Sequence, residues 1–534
     1  MKYGIMVSAV IVCMSCSGIH ANERDTMVTV KIDVDKVLEE NFLGVGVQCS
    51  GYPWFDVSDA DWKKVFERMD YLKMPFTRIM VDWTSFFEGL DADGSPQYTF
   101  ESQKMRNTYK LLDYCQAKDI TVMFGQWGWV NTALHADGQN WDVSPDSKLH
   151  ARMSADLIDY VVNKKGYTCI RWFDPINEPD GYWSSCDGDW PLWTRVAKQL
   201  HQELITRGLD KKITISGPGA FGPRISKARD DKELHEVIAA YGEPWISKAL
   251  DDKELHEVIA VYNEHKYLLN WTVVAGQLET QTRQQVGGIQ TKDPGKQYFV
   301  GELGFLDGKS KVDQNVEVKN FWYGVSMADA SIQLMRGGAS GFLAWYLDDA
   351  MHWKGDSDGP IEQASNAYER RKIWGMWNII GAEHGDPEDE APRPWFYTWS
   401  QLSRNFPAGA KILDVPPTGI DHLRVTAARI PSKDTDHLSV AVVNNSDQPK
   451  SVKIVVPTAK QKVALNSFEY FDADNDNKVD SWQKTLDPSG TVIYPEPTKT
   501  LQEVDLASGL TVQLPTKGVV ILTTLKAAAS PLDK

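Results

Sequence analysis

Cys169-Ile170-Arg171-Trp172-Phe173-Asp174-Pro175-Ile176-Asn177-Glu178-Pro179 is an apolar run that leads directly to a glutamate. Tyr298-Phe299-Val300-Gly301-Glu302-Leu303-Gly304 repeats that arrangement further along the chain. Each run has the length and composition of a strand buried on both faces. A carboxylate at the end of such a strand, in a closed parallel sheet, points into the mouth of the barrel.

Working outward, short apolar runs alternate with helical stretches from about residue 41 to residue 341. The runs are Phe42–Gln48, Phe76–Val81, Ile120–Gln126, Ile170–Asn177, Lys212–Gly217, Val258–His265, Gln297–Glu302 and Gly341–Tyr346. Between them lie segments such as Asp61–Lys73, with Trp62, Val65, Phe66, Met69 and Leu72 at helical spacing and Ser58 or Asp59 available as a cap. Strands alternating with helices imply a parallel sheet, and eight βα units are the count of a (β/α)8 TIM barrel. On this count Glu178 ends the fourth strand and Glu302 the seventh.

After the eighth run, residues 364–406 read as the last barrel helix with a long inserted loop, punctuated by Pro407-Ala408-Gly409. From about Lys411 the pattern becomes alternating: Leu438–Val443, Val452–Val456, Phe468–Phe471, Leu510–Leu514 and Val519–Leu522. Short strands between turn residues indicate a C-terminal antiparallel β-sandwich. Met27–Val34 also alternates and is expected to join it. The expected organisation is therefore residues 1–21 as an export signal, 22–40 as an N-terminal strand of the sandwich, 41–408 as the barrel and 409–534 as the sandwich. Ile225–Ala239 recurs almost verbatim as Ile246–Ala260, a tandem duplication ahead of the sixth strand. The second copy runs into Val261-Tyr262-Asn263 and is expected to be the one in register.

Met1-Lys2 followed by the apolar run Gly4–Val12 reads as an export signal, too short to span a membrane. Ser15-Cys16 resembles a degenerate bacterial lipobox, which would make Cys16 a lipidated N-terminus. The alternative is ordinary cleavage after Ala21. An N-terminal lipid is the only membrane attachment the sequence suggests. Of the other cysteines, Cys49, Cys115, Cys169 and Cys186 match no zinc spacing, and their pairing is open. Net charge is −16 and no basic stripe occurs, so nucleic acid is not an expected partner. Nothing suggests a redox or nucleotide cofactor. Asp472-Ala473-Asp474-Asn475-Asp476-Asn477-Lys478-Val479-Asp480 has calcium-loop spacing but lacks the glycine and the final acidic ligand, and is read as an acidic turn, with no metal assigned.

Two carboxylates on opposite sides of an anomeric carbon are the equipment for glycosidic cleavage. The Asn177-Glu178-Pro179 signature, with Glu302 after the seventh strand, resembles the clan A retaining glycoside hydrolases; the barrel-plus-sandwich order resembles families 30 and 39, and the His-x-Tyr element below family 5. The resemblance implies Glu178 as acid/base and Glu302 as nucleophile. It implies Arg78 beside the nucleophile, Asn177 on the sugar 2-hydroxyl, His265 and Tyr267 as a His-x-Tyr element, and Trp345 as the floor of a sugar subsite. Trp127, Trp129, Trp183 and Trp353 are further candidate sugar platforms, with plain packing as the alternative for each. A carbohydrate substrate follows. Endo and exo action are both open, since the insertions 348–366 and 381–394 could wall the cleft or lie outside it. The competing reading is a non-catalytic carbohydrate-binding protein on a barrel scaffold.

Overall fold

The computed structural model describes residues 27–52, 57–128, 148–181, 184, 186–221, 244–310, 313–351, 372–383, 386–480 and 497–526, with the backbone of 132–134, 140–142 and 147. Eight parallel strands close into a barrel: β1 (Gly44–Ser50), β2 (Phe76–Val81), β3 (Thr121–Gln126), β4 (Ile170–Asp174), β5 (Thr214–Ala220), β6 (Ile259–Leu268), β7 (Gln297–Phe305) and β8 (Gly341–Ala344). Each of the eight apolar runs overlaps one of these strands, and β1, β5, β6 and β7 extend two or three residues beyond their runs. Helices follow every strand, from Asp59–Leu72, capped by the Ser58 side chain, to Pro394–Asn405. The second copy of the duplication forms the short helix Lys253–Val258 and leads into β6. The first copy lies outside the described residues, as do the N-terminal 26 residues with the export signal and Cys16.

The barrel interior is filled in layers. Its lower layer is apolar: Leu43, Phe76, Met123, Trp172, Val261, Phe299 and Leu343 form one buried cluster. Side chains alternate along a strand. Two residues further up the same inward faces come Arg78 on β2, Gly125 on β3, Asp174 on β4, Asn263 on β6 and Trp345 after β8. A packed floor therefore carries a polar layer directly above it, at the C-terminal end of the strands.

The sandwich pairs a seven-stranded sheet with a three-stranded one. Strand Val28–Lys31 joins the smaller sheet and Val37–Glu39 the larger. One correction concerns strand direction. Val28–Lys31 runs parallel to Lys450–Val455, so the smaller sheet is mixed, not antiparallel throughout. Tight turns enforce antiparallel pairing only between strands they join directly, and these two are far apart in the chain. Strands Leu423–Ile430 and Lys499–Val504 were not expected. Ala427-Ala428 blurs the alternation of the first; the second is a largely exposed edge strand without an apolar face.

The sandwich packs on helix Phe321–Gly337, which is buried on nearly all sides. Tyr470 stacks on Phe321 at 4.5 Å, and Arg424 pairs with the buried Asp329 at 2.7 Å. The acidic turn joins this contact: the Asn477 carboxamide oxygen accepts the Phe321 N–H. Asp472 accepts the backbone N–H groups of Asp476 and Asn477. Cys49, Cys115 and Cys186 are buried free thiols, and Cys169 is a half-buried one. No helix among the described residues is long and apolar enough to cross a membrane.

Candidate active site

Arg78 is the hub. It is completely buried, and its two terminal nitrogens fork toward different strands. Nη1 donates to Glu302 Oε1 at 2.5 Å and to Gln48 Oε1 at 2.8 Å. Nη2 donates to Asp174 Oδ2 at 3.0 Å and to Asn177 Oδ1 at 2.6 Å. The Tyr267 hydroxyl donates to Glu302 Oε2 at 2.6 Å. Each oxygen of Glu302 is thus held by a donor from a different strand.

Glu302 reaches this position through an irregularity in β7. Phe299 and Gly301 face inward, so strict alternation would turn Glu302 outward. The pairing with β6 jumps from Glu264–Val300 to His265–Glu302, leaving Gly301 as an extra residue. Such a bulge re-aims the side chain that follows it. The residue must be small: a Cβ on Gly301 would lie 3.2–3.3 Å from the His265 ring. On β6, Val261, Asn263, His265 and Tyr267 share the inward face, because that strand continues to Leu268.

Glu178 lies past β4 in the turn that follows it. Its φ of +44° is in the left-handed region, which costs a non-glycine residue on the order of 1–3 kcal/mol. Neighbouring backbone holds it there. Its N–H donates to Gly219 O at 3.1 Å, and its carbonyl accepts from Gly181 N at 3.0 Å. His265 Nδ1 lies 2.8 Å from Glu178 Oε1 and 3.5 Å from Glu302 Oε2. Burial pushes the imidazole down to about 3, so it is neutral near pH 7 and is not a cationic partner of Glu178. An oxygen of Glu178, a nitrogen of His265 and an oxygen of Glu302 all lie within 4.8 Å of one another.

The electrostatics depart from the simplest expectation. An arginine beside a carboxylate ordinarily lowers its pKa. Here burial raises the Glu302 carboxyl above its usual range, and Glu178 adds to the rise; Arg78 and the Tyr267 hydroxyl oppose it. Arg78 does not give Glu302 its whole charge, because Asp174 takes the other side of the fork. Two carboxylates and an imidazole this close are also donor types that a divalent ion would accept. The guanidinium against Glu302 competes with that use.

Aromatic side chains surround the pair. Trp345 meets Trp127 edge to face at 5.9 Å, and the Arg78 guanidinium lies 5.9 Å from the Trp127 ring centre. Trp129, Trp183 and Trp353 lie outside the described residues. Two rings at the site were not anticipated. Phe221 stacks on Tyr267 at 5.4 Å, and Trp374 meets Tyr267 edge to face at 5.4 Å. Trp374 follows the insertion after β8, and the Asp349 carboxylate fixes it by accepting the N–H groups of Trp374 and Gly375. Asp174 was also missed, although an acid inside an apolar strand was a visible signal.

No family model matches the sequence, and no curated protein matches it. Solved structures do. A GH30 endoxylanase from Clostridium papyrosolvens C71 superposes with a TM-score of 0.56 at 13% identity, over 93% of this chain and all of the other. A GH39 beta-xylosidase from Caulobacter crescentus gives 0.55 at 13% identity, over 93% of this chain and 100% of the other. An endo-beta1,6-glucanase gives 0.55 at 13% identity, over 94% and 93%. At these identities the likeness shows the fold: the chain has the barrel-plus-sandwich architecture of these glycoside hydrolase structures.

Proposed function

We propose that this chain is an exported bacterial retaining β-glycoside hydrolase that cleaves β-linked oligo- or polysaccharides through a covalent glycosyl-enzyme. One observation carries the reading: carboxylate oxygens of Glu178 and Glu302 lie within 4.8 Å of one another above a packed barrel floor. Retaining enzymes hold their carboxyl groups about 5–5.5 Å apart, whereas inverting enzymes need about 6.5–9.5 Å to admit a water.

In the first half-reaction Glu302 attacks the anomeric carbon while Glu178 protonates the leaving oxygen. Arg78 and Tyr267 hold both oxygens of Glu302, fixing the direction of attack. Asn177 has its carbonyl oxygen engaged by Arg78, so its amide N–H₂ is the group available to the sugar 2-hydroxyl. Trp345 and Trp127 supply apolar ring faces for the sugar. In the second half-reaction Glu178, now a carboxylate, takes a proton from the water that hydrolyses the ester. The N-terminal signal supports export. A substrate panel tests the proposal: β-linked oligosaccharides of varied sugar and linkage, product sizes by chromatography, and anomeric configuration followed by proton NMR. Initial release of the β anomer is expected. Initial α product would exclude retention, and no cleavage of any member would favour the carbohydrate-binding reading.

Tyr267→Phe provides a second check. The lost donor stabilises ionised Glu302 in preference to its neutral form, so its removal raises the Glu302 pKa. The acidic limb of the kcat/KM profile should move to higher pH, and kcat/KM at its optimum should fall by about 10–100-fold, the usual worth of a hydrogen bond to a charged group. An unchanged acidic limb would mean that this bond does not serve the nucleophile.

A further inference from the structure

Arg78 faces two buried carboxylates, and the catalytic reading uses only one. Asp174 is fully buried on the inward face of β4, directly above Trp172 of the barrel floor. Oδ2 accepts from Arg78, and among the described residues the only other group favouring the charged carboxyl is the Ile176 backbone N–H. A fully buried carboxylate with so few partners is expensive.

The neighbouring strands make room for this side chain. Gly125 on β3 and Gly219 on β5 flank it. A Cβ on Gly125 would lie 2.8 Å from the Asp174 Cβ, and one on Gly219 would lie 3.0 Å and 3.2 Å from its two oxygens. Gly219 also has a φ of +63°, which only glycine adopts without strain. Glycine weakens a strand interior, and here two strands carry it around one acid.

The charges facing Asp174 can be enumerated. β2 presents Arg78. The turn after β4 presents Glu178. Through Arg78, β7 presents Glu302. β6 presents Asn263, and beyond it the neutral His265. β3 and β5 present the two glycines. One cation therefore pairs with two carboxylates, Asp174 and Glu302, while Glu178 adds a third negative charge nearby.

We propose that Asp174 is a positioning residue that holds Arg78 in a split fork and withholds part of its charge from Glu302, so that the nucleophile remains basic enough to attack. This rests on Glu302 being the nucleophile. Burial pushes Asp174 up to about 6, with Arg78 only partly opposing that rise. As pH rises through this range, Asp174 gains its charge and draws on Arg78. As pH falls, the guanidinium passes to Glu302.

Asp174→Asn tests the division. The amide keeps an acceptor for Arg78 Nη2 and removes the charge. The Glu302 pKa should fall, so the acidic limb of kcat/KM should move to lower pH by about 0.5–1 unit. The basic limb, set by Glu178, should move the same way, because one nearby negative charge is gone. The maximum of kcat should drop, because a less basic carboxylate is a weaker nucleophile. A merely structural Asp174 would lower activity and leave both limbs in place, and that result overturns the proposal.

A second readout needs no turnover. Titration of the Glu302 carboxyl by ¹³C NMR, assigned with Glu302→Gln, should show a lower pKa in Asp174→Asn than in the parent. If the parent cleaves nothing, the catalytic reading fails on the substrate panel, and this titration still decides whether Asp174 controls Glu302. An unchanged Glu302 titration overturns the proposal in either case. If Asp174→Asn does not fold, Asp174→Ser, neutral and smaller than the space, should give the same shifts.

Discussion

Glu302→Gln should abolish turnover of every substrate the parent cleaves. The amide keeps the size and shape of the side chain but cannot attack an anomeric carbon. Loss of a covalent nucleophile costs roughly 10⁴–10⁶-fold in kcat. The surroundings can accommodate the change. The amide oxygen can accept from Arg78, and the amide nitrogen can donate to the Tyr267 hydroxyl, which today donates to Glu302 Oε2. Arg78 keeps Asp174 as an ionic partner. The variant should therefore fold, bind substrate and fail at the chemistry. Turnover of an activated aryl β-glycoside, alongside glycan affinity by calorimetry, separates these. A variant with full activity would mean that another group is the nucleophile. A parent without turnover, whose glycan affinity is little changed by the substitution, would identify a binding protein.

Glu178→Ala should divide substrates by leaving group. Natural glycosides, whose leaving oxygen needs a proton, should lose about 10²–10⁴-fold in kcat. Aryl glycosides with acidic leaving groups need no proton donor, so Glu302 should still attack them. The second step then lacks its general base, and the glycosyl-enzyme should accumulate as an initial burst and as a mass increment on the intact protein. Azide should restore turnover, because a small anion can replace water without a base, and the product should be the β-glycosyl azide. The position supports rescue: Glu178 lies beside the neutral His265, and its removal opens space next to Glu302 without leaving a buried cation unpaired. An equal loss on all substrates, with no response to azide, would remove Glu178 from the acid/base role.

Much of this protein was readable from its chain. The eight apolar runs each mark a barrel strand because a strand buried on both faces must be apolar along its length. Strand counting brought Glu178 and Glu302 to the same rim, and alternation within β6 brought His265 and Tyr267 to one face. The sandwich was less legible. An edge strand such as Lys499–Val504 buries little, so nothing in its composition requires it to be a strand.

The sequence by itself determined the architecture and brought Glu178, Glu302, Arg78, His265 and Tyr267 to one end of the barrel, because strand burial and two-residue periodicity are local properties; it did not reveal Asp174, Phe221 or Trp374. Only the tertiary structure decided how those residues are used. Gly301 as an extra residue in β7 turns Glu302 inward, and that depends on its register against β6 and β8. The split of Arg78 between Glu302 and Asp174 depends on strands far apart in the chain meeting around one guanidinium. The low pKa of His265 and the raised carboxyls depend on burial among those neighbours. Desolvation and charge–charge energies are set by distance in space, and barrel closure, not the order of residues, fixes those distances.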